Sequence, residues 1–156
     1  MTIETLTRPT AEDVAAEMHW RGLSGEIVTG ADAAHHLESV LALLDKRGWT
    51  RTSAEPELDE SAGLRDVIKS LVRFLYGPVR GPLTVDEAML LVPAEDGDDD
   101  SRLAAKRCME SVLRMRTGAT HADPGSWSER RGRTFEEVRG LLAEAAAFAR
   151  EYGPAA

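Results

Sequence analysis

The sequence predicts an all-α fold, a single-domain bundle of five to six helices with irregular loops. Three observations predict it. Apolar residues recur at helical spacing in one segment after another, Thr, Ser or Asp stands ahead of those segments, and glycine or proline closes them. The widest apolar stripe lies in the run Asp59 to Tyr76, where Leu64, Val67, Ile68, Leu71, Val72 and Leu75 fall at steps of three, one, three, one and three. Gly77-Pro78 stops that run. With the most large aliphatic side chains of any segment, it is expected to be the central core helix, packed by helices at 31–47, 101–116 and 134–152.

The other elements follow in chain order. Residues 1–9 carry no helical pattern and are expected to be loose. Thr10 with Asp13 forms a capping box for a short helix whose apolar side is Val14, Met18 and Ala15, closed at Gly22 or Gly25. Ile27-Val28-Thr29 has no second strand to pair with and reads as a connector. Asp32 is the expected cap of a helix reaching Arg47, with Leu37, Val40, Leu41 and Leu44 on one side. Gly48 ends it, and Trp49 is expected to fold back onto the apolar face. Thr84 with Glu87 forms a second capping box, opening a short helix that carries Val85, Ala88, Met89 and Val92 and stops at Pro93. The acids of residues 94–100 repel one another and lack apolar company, so a mobile surface loop is expected. Ser101 opens a helix to about Arg116 with Ala105, Cys108, Met109, Val112 and Leu113 inward, and Gly118 ends it. Residues 117–133 are rich in turn formers and hold one large apolar anchor, Trp127. Thr134 with Glu137 is a third capping box, before a last helix with Phe135, Val138, Leu142, Ala145 and Ala149 inward.

Composition bounds the chemistry. A chain of 156 residues suits one domain with a real core. Aromatics are scarce, so Leu, Val, Ala and Met must build that core. The formal charge of −8 argues against a nucleic-acid surface formed by net charge, and leaves a local basic patch open. Arginine far outnumbers lysine, which occurs only at Lys46, Lys69 and Lys106, a codon-bias signature of a GC-rich genome. Cys108 is the single cysteine, so neither an internal disulfide nor a cysteine-based zinc site can form. That suits a reducing cytoplasm. The start MTIETLTRPTAED has no signal-peptide pattern and no run approaches a membrane span, so a cytoplasmic protein without membrane contact is expected.

Four features invite a functional reading. His35-His36 are adjacent, so on a helix they point about 100° apart and cannot grip one metal together. One of them could join His19, His121 or Asp123, but no HxxxH spacing supports a metal site, and ordinary histidines are favoured. The EDGDDD run lacks the calcium-loop spacing and reads as solvated charge. Cys108, on an apolar side, reads as a small hydrophobe and not as a nucleophile. The segment Ser126 to Thr134 is the most suggestive, because Trp127, Arg130, Arg131 and Arg133 stand just ahead of a helix N-terminus that favours anions. The competing reading, favoured here, pairs these arginines with Glu129, Glu136, Glu137 or the acidic loop while Trp127 packs down as a lid.

Arg47-Gly48-Trp49, together with the later run from Trp127 through Gly132-Arg133-Thr134 to Glu136-Glu137-Val138, resembles the uncharacterised family DUF6197 over roughly Ala33 to Arg150. Members close a helix with Gly-Trp and later carry a Trp-Asn-Asp turn, Gly-Arg-Thr and a Glu-Glu-Val helix. Here Ser128-Glu129 replaces Asn-Asp, and Ile68-Lys69-Ser70-Leu71 takes the place of a cysteine-containing Leu-Gly-Ala segment. Any chemistry resting on that Asn and Cys is in doubt for this chain. The resemblance implies an actinobacterial or phage origin and supplies no activity.

The expected function is a non-catalytic, cytoplasmic protein-interaction or regulatory protein with no cofactor, binding itself or another protein. The alternatives are a nucleic-acid- or anion-binding module using Arg130, Arg131 and Arg133, and an enzyme with a His/Asp site drawn from His35, His36, His121 and Asp123.

Overall fold

The computed structural model describes residue 10 and residues 20–53, 63–78 and 80–156. Six helices follow one another there: α1 (Gly30–Arg47), α2 (Leu64–Tyr76), α3 (Val85–Leu91), α4 (Asp99–Thr117), α5 (Pro124–Ser128) and α6 (Phe135–Tyr152). No sheet forms among the described residues, where isolated bridges join Arg21 to Ile27 and Trp49 to Leu83. The fold is all-α, as the periodicity predicts. The helix expected after Thr10, His19, and the stretch 59–62 of the expected central helix lie outside the described residues.

Local chemistry sets the helix ends. Thr84 and Glu87 form the predicted capping box of α3, and Thr134 and Glu137 that of α6. Two starts shift by a few residues. Thr29, not Asp32, caps α1: its hydroxyl accepts from the Asp32 N–H at 3.0 Å and donates to the Asp32 carboxylate. Asp98, not Ser101, caps α4, with Ser101 answering as the third residue of the box. A side-chain oxygen one turn earlier than expected captures the first free N–H groups in each case. The sequence reading also missed α5. Asp123-Pro124 is its signal, an N-cap followed by a residue already set to helical φ with no N–H to satisfy.

The core lies between α1, α4 and α6, which pack on one another, while α3 leans on α1 and α5 bridges α3 and α4. Leu37, Val40 and Leu44 of α1 meet Val138, Leu141, Leu142 and Ala145 of α6, and Ala105, Cys108, Met109, Val112 and Leu113 of α4 close the third side, all buried. At one end α1 and α6 touch through backbone. The Gly30 N–H donates to the Pro154 carbonyl at 2.9 Å, and a Cβ on Gly30 would lie 2.2 Å from the Ala149 carbonyl oxygen. A Cβ on Gly153 would lie 2.4 Å from the Gly30 Cα. Only glycine fits on either side of that contact.

The expected place of the Asp59–Tyr76 run is corrected. It is helical over Leu64–Tyr76, yet none of the extended helix–helix contacts includes α2. Leu64 is 78% exposed, Ile68 52%, Leu71 43% and Val72 49%, so the apolar stripe faces outward. Periodicity established that a face exists. It carried no information about what covers it, and α1 and α6 take the centre because their small residues permit closer approach. Equilibrium urea unfolding of dilute protein should show the contrast: Leu142→Ala loses roughly 2–5 kcal/mol, whereas Ile68→Ala stays within about 0.5 kcal/mol.

Candidate functional site

The arginine segment is built from α5, a turn and the start of α6. Asp123 caps α5 by accepting from the Ser126 N–H at 2.8 Å, and Lys106 of α4 lies 3.2 Å from its carboxylate. Those bonds, the Ser126 N–H first, hold the Asp123 carboxyl below its usual range. The cap fixes α5 so that Trp127 packs against the core and Ser128 is buried, its hydroxyl donating to the Gly125 carbonyl at 2.8 Å. Gly132, at φ 82°, then turns the chain into α6.

The three arginines divide here. The Arg133 guanidinium lies 3.8 Å from the Trp127 ring centroid, a cation–π contact, and pairs with Glu137 one turn into α6. The same Glu137 carboxylate accepts the Thr134 N–H at 2.8 Å, which with Arg133 holds it below its usual range. The first turn of α6 therefore already holds a carboxylate of its own. Arg130 and Arg131, by contrast, are exposed and carry no ion pair or hydrogen bond from a side chain among the described residues. The segment is a closed lid at Arg133 and an open cationic pair at Arg130 and Arg131.

The two adjacent histidines have opposite surroundings. His35 is exposed, with Nε2 3.4 Å from the Asp96 carboxylate. His36 is buried, with Nε2 3.3 Å from the Met89 carbonyl and Nδ1 3.4 Å from the Ser101 hydroxyl. The carbonyl can only accept, so Nε2 carries the proton and Nδ1 faces the hydroxyl. Gly97 lies directly over the ring: a Cβ there would be 2.2 Å from Nδ1. Burial, opposed by the Met89 carbonyl, holds the His36 imidazole below its usual pKa. His121 is exposed, and Asp123 is engaged by Ser126 and Lys106, so no bond joins the four residues of the His/Asp reading. Among the described residues no group of three or more His, Cys, Asp or Glu is placed to hold a metal ion.

The acidic loop flanks an open cleft of about 480 Å³ lined by Asp32, His35, Asp96, Asp98 and Asp100. Each of these carboxylates has a partner. Asp98 caps α4, Asp100 accepts from the Ser24 N–H and hydroxyl, Asp96 faces His35, and Asp32 faces Thr29. Cys108 is fully buried, and desolvation pushes its thiol up to about 12, which leaves no thiolate at neutral pH.

The motif pieces of the sequence meet in space. Trp49, just after α1, stacks on Phe135 at the start of α6, with centroids 6.1 Å apart and planes inclined by 15°. The Arg139 guanidinium lies 4.9 Å from the Phe135 ring centroid and pairs with Asp45 of α1. The model of a family of unknown function, DUF6197, matches residues 28–148, which spans α1 to the last turns of α6. The chain belongs to the DUF6197 family. No curated protein and no solved structure matches it. In this DUF6197 chain the Gly-Trp and Thr-Phe-Glu-Glu pieces form a packing corner that fixes α6 against α1.

The buried imidazole gives a pH dependence with a definite sign. The unfolded chain binds a proton at His36 near the ordinary value of 6.5, and the folded chain binds it only at lower pH. Below 6.5 the unfolded state therefore holds more protons, and stability falls as the pH drops toward the folded value. Urea midpoints measured from pH 7 to pH 5 should fall for the natural chain and fall less for His36→Gln.

Proposed function

We propose that this DUF6197 protein is a non-catalytic, intracellular interaction protein of actinobacterial or phage origin, and that it docks a protein partner on the outward face of α2. The observation that carries this reading is the exposure of Leu64, Ile68, Leu71 and Val72 on an amphipathic helix. A contiguous apolar patch of this kind marks an interaction site more often than scattered surface residues do. The buried, protonated Cys108 supports a chain at home in reducing conditions, and the arginine-rich composition supports the stated origin.

The test separates a docking face from a face the fold itself needs. Leu64→Gln, Ile68→Gln and Val72→Gln are combined in one variant, since glutamine preserves helix propensity. In dilute solution its melting temperature should stay within about 2 °C of the natural chain, because no buried contact is lost. A drop of about 10 °C or more would mean that the folded chain covers this face, and the reading would be withdrawn.

A second reading rests on Arg130 and Arg131, whose side chains are exposed and unpaired among the described residues and suit an anionic partner. Arg133 is occupied by Trp127 and Glu137, and the chain carries a net charge of −8, so a nucleic acid would meet little cationic surface. A short DNA duplex at low ionic strength should give a mobility shift that disappears in Arg130→Ala/Arg131→Ala if this reading is right. No shift at any salt concentration would remove it.

A further inference from the structure

Residues 93–98 stand between two clefts. The cleft of about 480 Å³ that Asp32 and His35 line is on one side, and a cleft of about 330 Å³ lined by His36, Met89, Leu90, Val92 and Arg102 is on the other. Ala94, Gly97 and Asp98 line both, so the segment is a partition between them. None of its residues is buried. The Pro93 carbonyl accepts the Asp96 and Gly97 N–H groups at 2.9 and 3.2 Å, and the Asp98 N–H donates to the Ser101 hydroxyl at 2.8 Å. A segment with so little apolar burial belongs to the low-stability end of a fold. Through Gly97 it is nonetheless the roof of the buried His36 ring.

The ring under that roof is arranged for its neutral form. Nε2 donates to the Met89 carbonyl, and Nδ1 faces the Ser101 hydroxyl at 3.4 Å. That hydroxyl already accepts the Asp98 N–H and donates to the Asp98 carbonyl at 3.0 Å. An imidazolium must donate from Nδ1 as well, and charged N–H···O bonds run at about 2.7–2.9 Å. At 3.4 Å the hydroxyl is too far for one, and Gly97 closes the side from which water would come. The charged groups around the ring do not compensate while it stays covered. Burial opposes a positive charge most, and Arg102 of α4 and His35 of α1 oppose it too, while Asp98 favours it. Asp99 lines the smaller cleft, and α3 brings the Met89 carbonyl with the side chains of Met89 and Leu90.

We infer that residues 93–98 are a proton-operated strap: when His36 takes up a proton they lift off the ring, and the two clefts open into one. Lifting lets Nδ1 donate to water and leaves the imidazolium close to the carboxylates of the loop. The His35–Asp96 contact works against the motion, because a protonated His35 holds Asp96. Both of those side chains are largely exposed, and a surface pair of that kind contributes little, so it moderates opening without preventing it. In the open form the ring titrates near the ordinary value of 6.5, and in the closed form lower. The open population therefore rises as the pH falls through 6.5, to a limit of about tenfold between pH 7.5 and pH 5.5.

Amide hydrogen exchange of the full chain, read by NMR and corrected for intrinsic rates, tests this. The Asp96, Gly97 and Asp98 amides should lose protection severalfold from pH 7.5 to pH 5.5. Gly118, whose N–H donates to the Arg114 carbonyl at the far end of α4, should keep its protection. Low urea should leave the strap amides unaffected and speed those of α6, since a local opening exposes little surface. His36→Gln should make strap protection independent of pH, whereas His35→Gln should leave the dependence in place. Gly97→Ala, whose methyl displaces the ring, should lower strap protection already at pH 7.5. Strap protection that is flat with pH in the natural chain, or still pH-dependent in His36→Gln, overturns the inference. Strap amides that exchange only together with those of α6, at one urea dependence, overturn it as well. Should His36→Gln fail to fold, the ring signal of His36 in the natural chain decides: a ring that titrates while the Gly97 and Asp98 amides keep full protection also overturns it.

Discussion

The backbone contact between α1 and α6 is the constraint on which the rest of the structure depends. Gly30 and Gly153 let the start of one helix sit directly on the end of the other, and Ala33, Ala145 and Ala149 keep the approach close along that interface. With two long helices held at so short a distance, α4 can fill the remaining side with Leu113, Met109 and Val112 and still leave these side chains fully buried. A core poor in aromatics is workable only at that spacing, because small residues have to meet with little void between them.

Five of the six described helices were legible in the sequence, α5 was not, and their arrangement was legible only in part. Capping boxes at Thr84 and Thr134 act over four residues, so their chemistry is visible without any knowledge of the rest of the chain. The inward faces of α1, α4 and α6 were equally readable, since burial follows the 3.6-residue period. The rank of the helices was not. Leu64, Ile68 and Val72 satisfy every local criterion for a core helix, and nothing in their spacing says whether the apolar partner belongs to the same molecule. Which of two helices becomes central is decided by how closely backbones approach, and that depends on Gly30 meeting Gly153, residues 123 positions apart.

The candidate residues show the same division. His35 and His36 look alike in sequence, yet one helix step places the first beside Asp96 in solvent and the second beneath the acidic loop. Arg133 differs from Arg130 and Arg131 because Trp127, held down by the Asp123 cap, offers it a ring to lie on. The Trp49–Phe135 stack gives a physical reading of the Gly48-Trp49 and Thr134-Phe135-Glu136-Glu137 pieces of this chain: they join the end of α1 to the start of α6. Both pieces are structural here, since Trp49 and the Arg139 guanidinium each contact the Phe135 ring.

The absent side chain at Gly97 has a consequence for the family as a whole. With φ unremarkable and an imidazole 2.2 Å from where a Cβ would stand, this glycine is selected by its neighbour and not by its own backbone. Positions 36 and 97 thus share one volume between them. A methyl group or anything larger at 97 requires the ring at 36 to shift or be lost, whereas a smaller side chain at 36 leaves Gly97 free to stay, so the constraint runs in one direction.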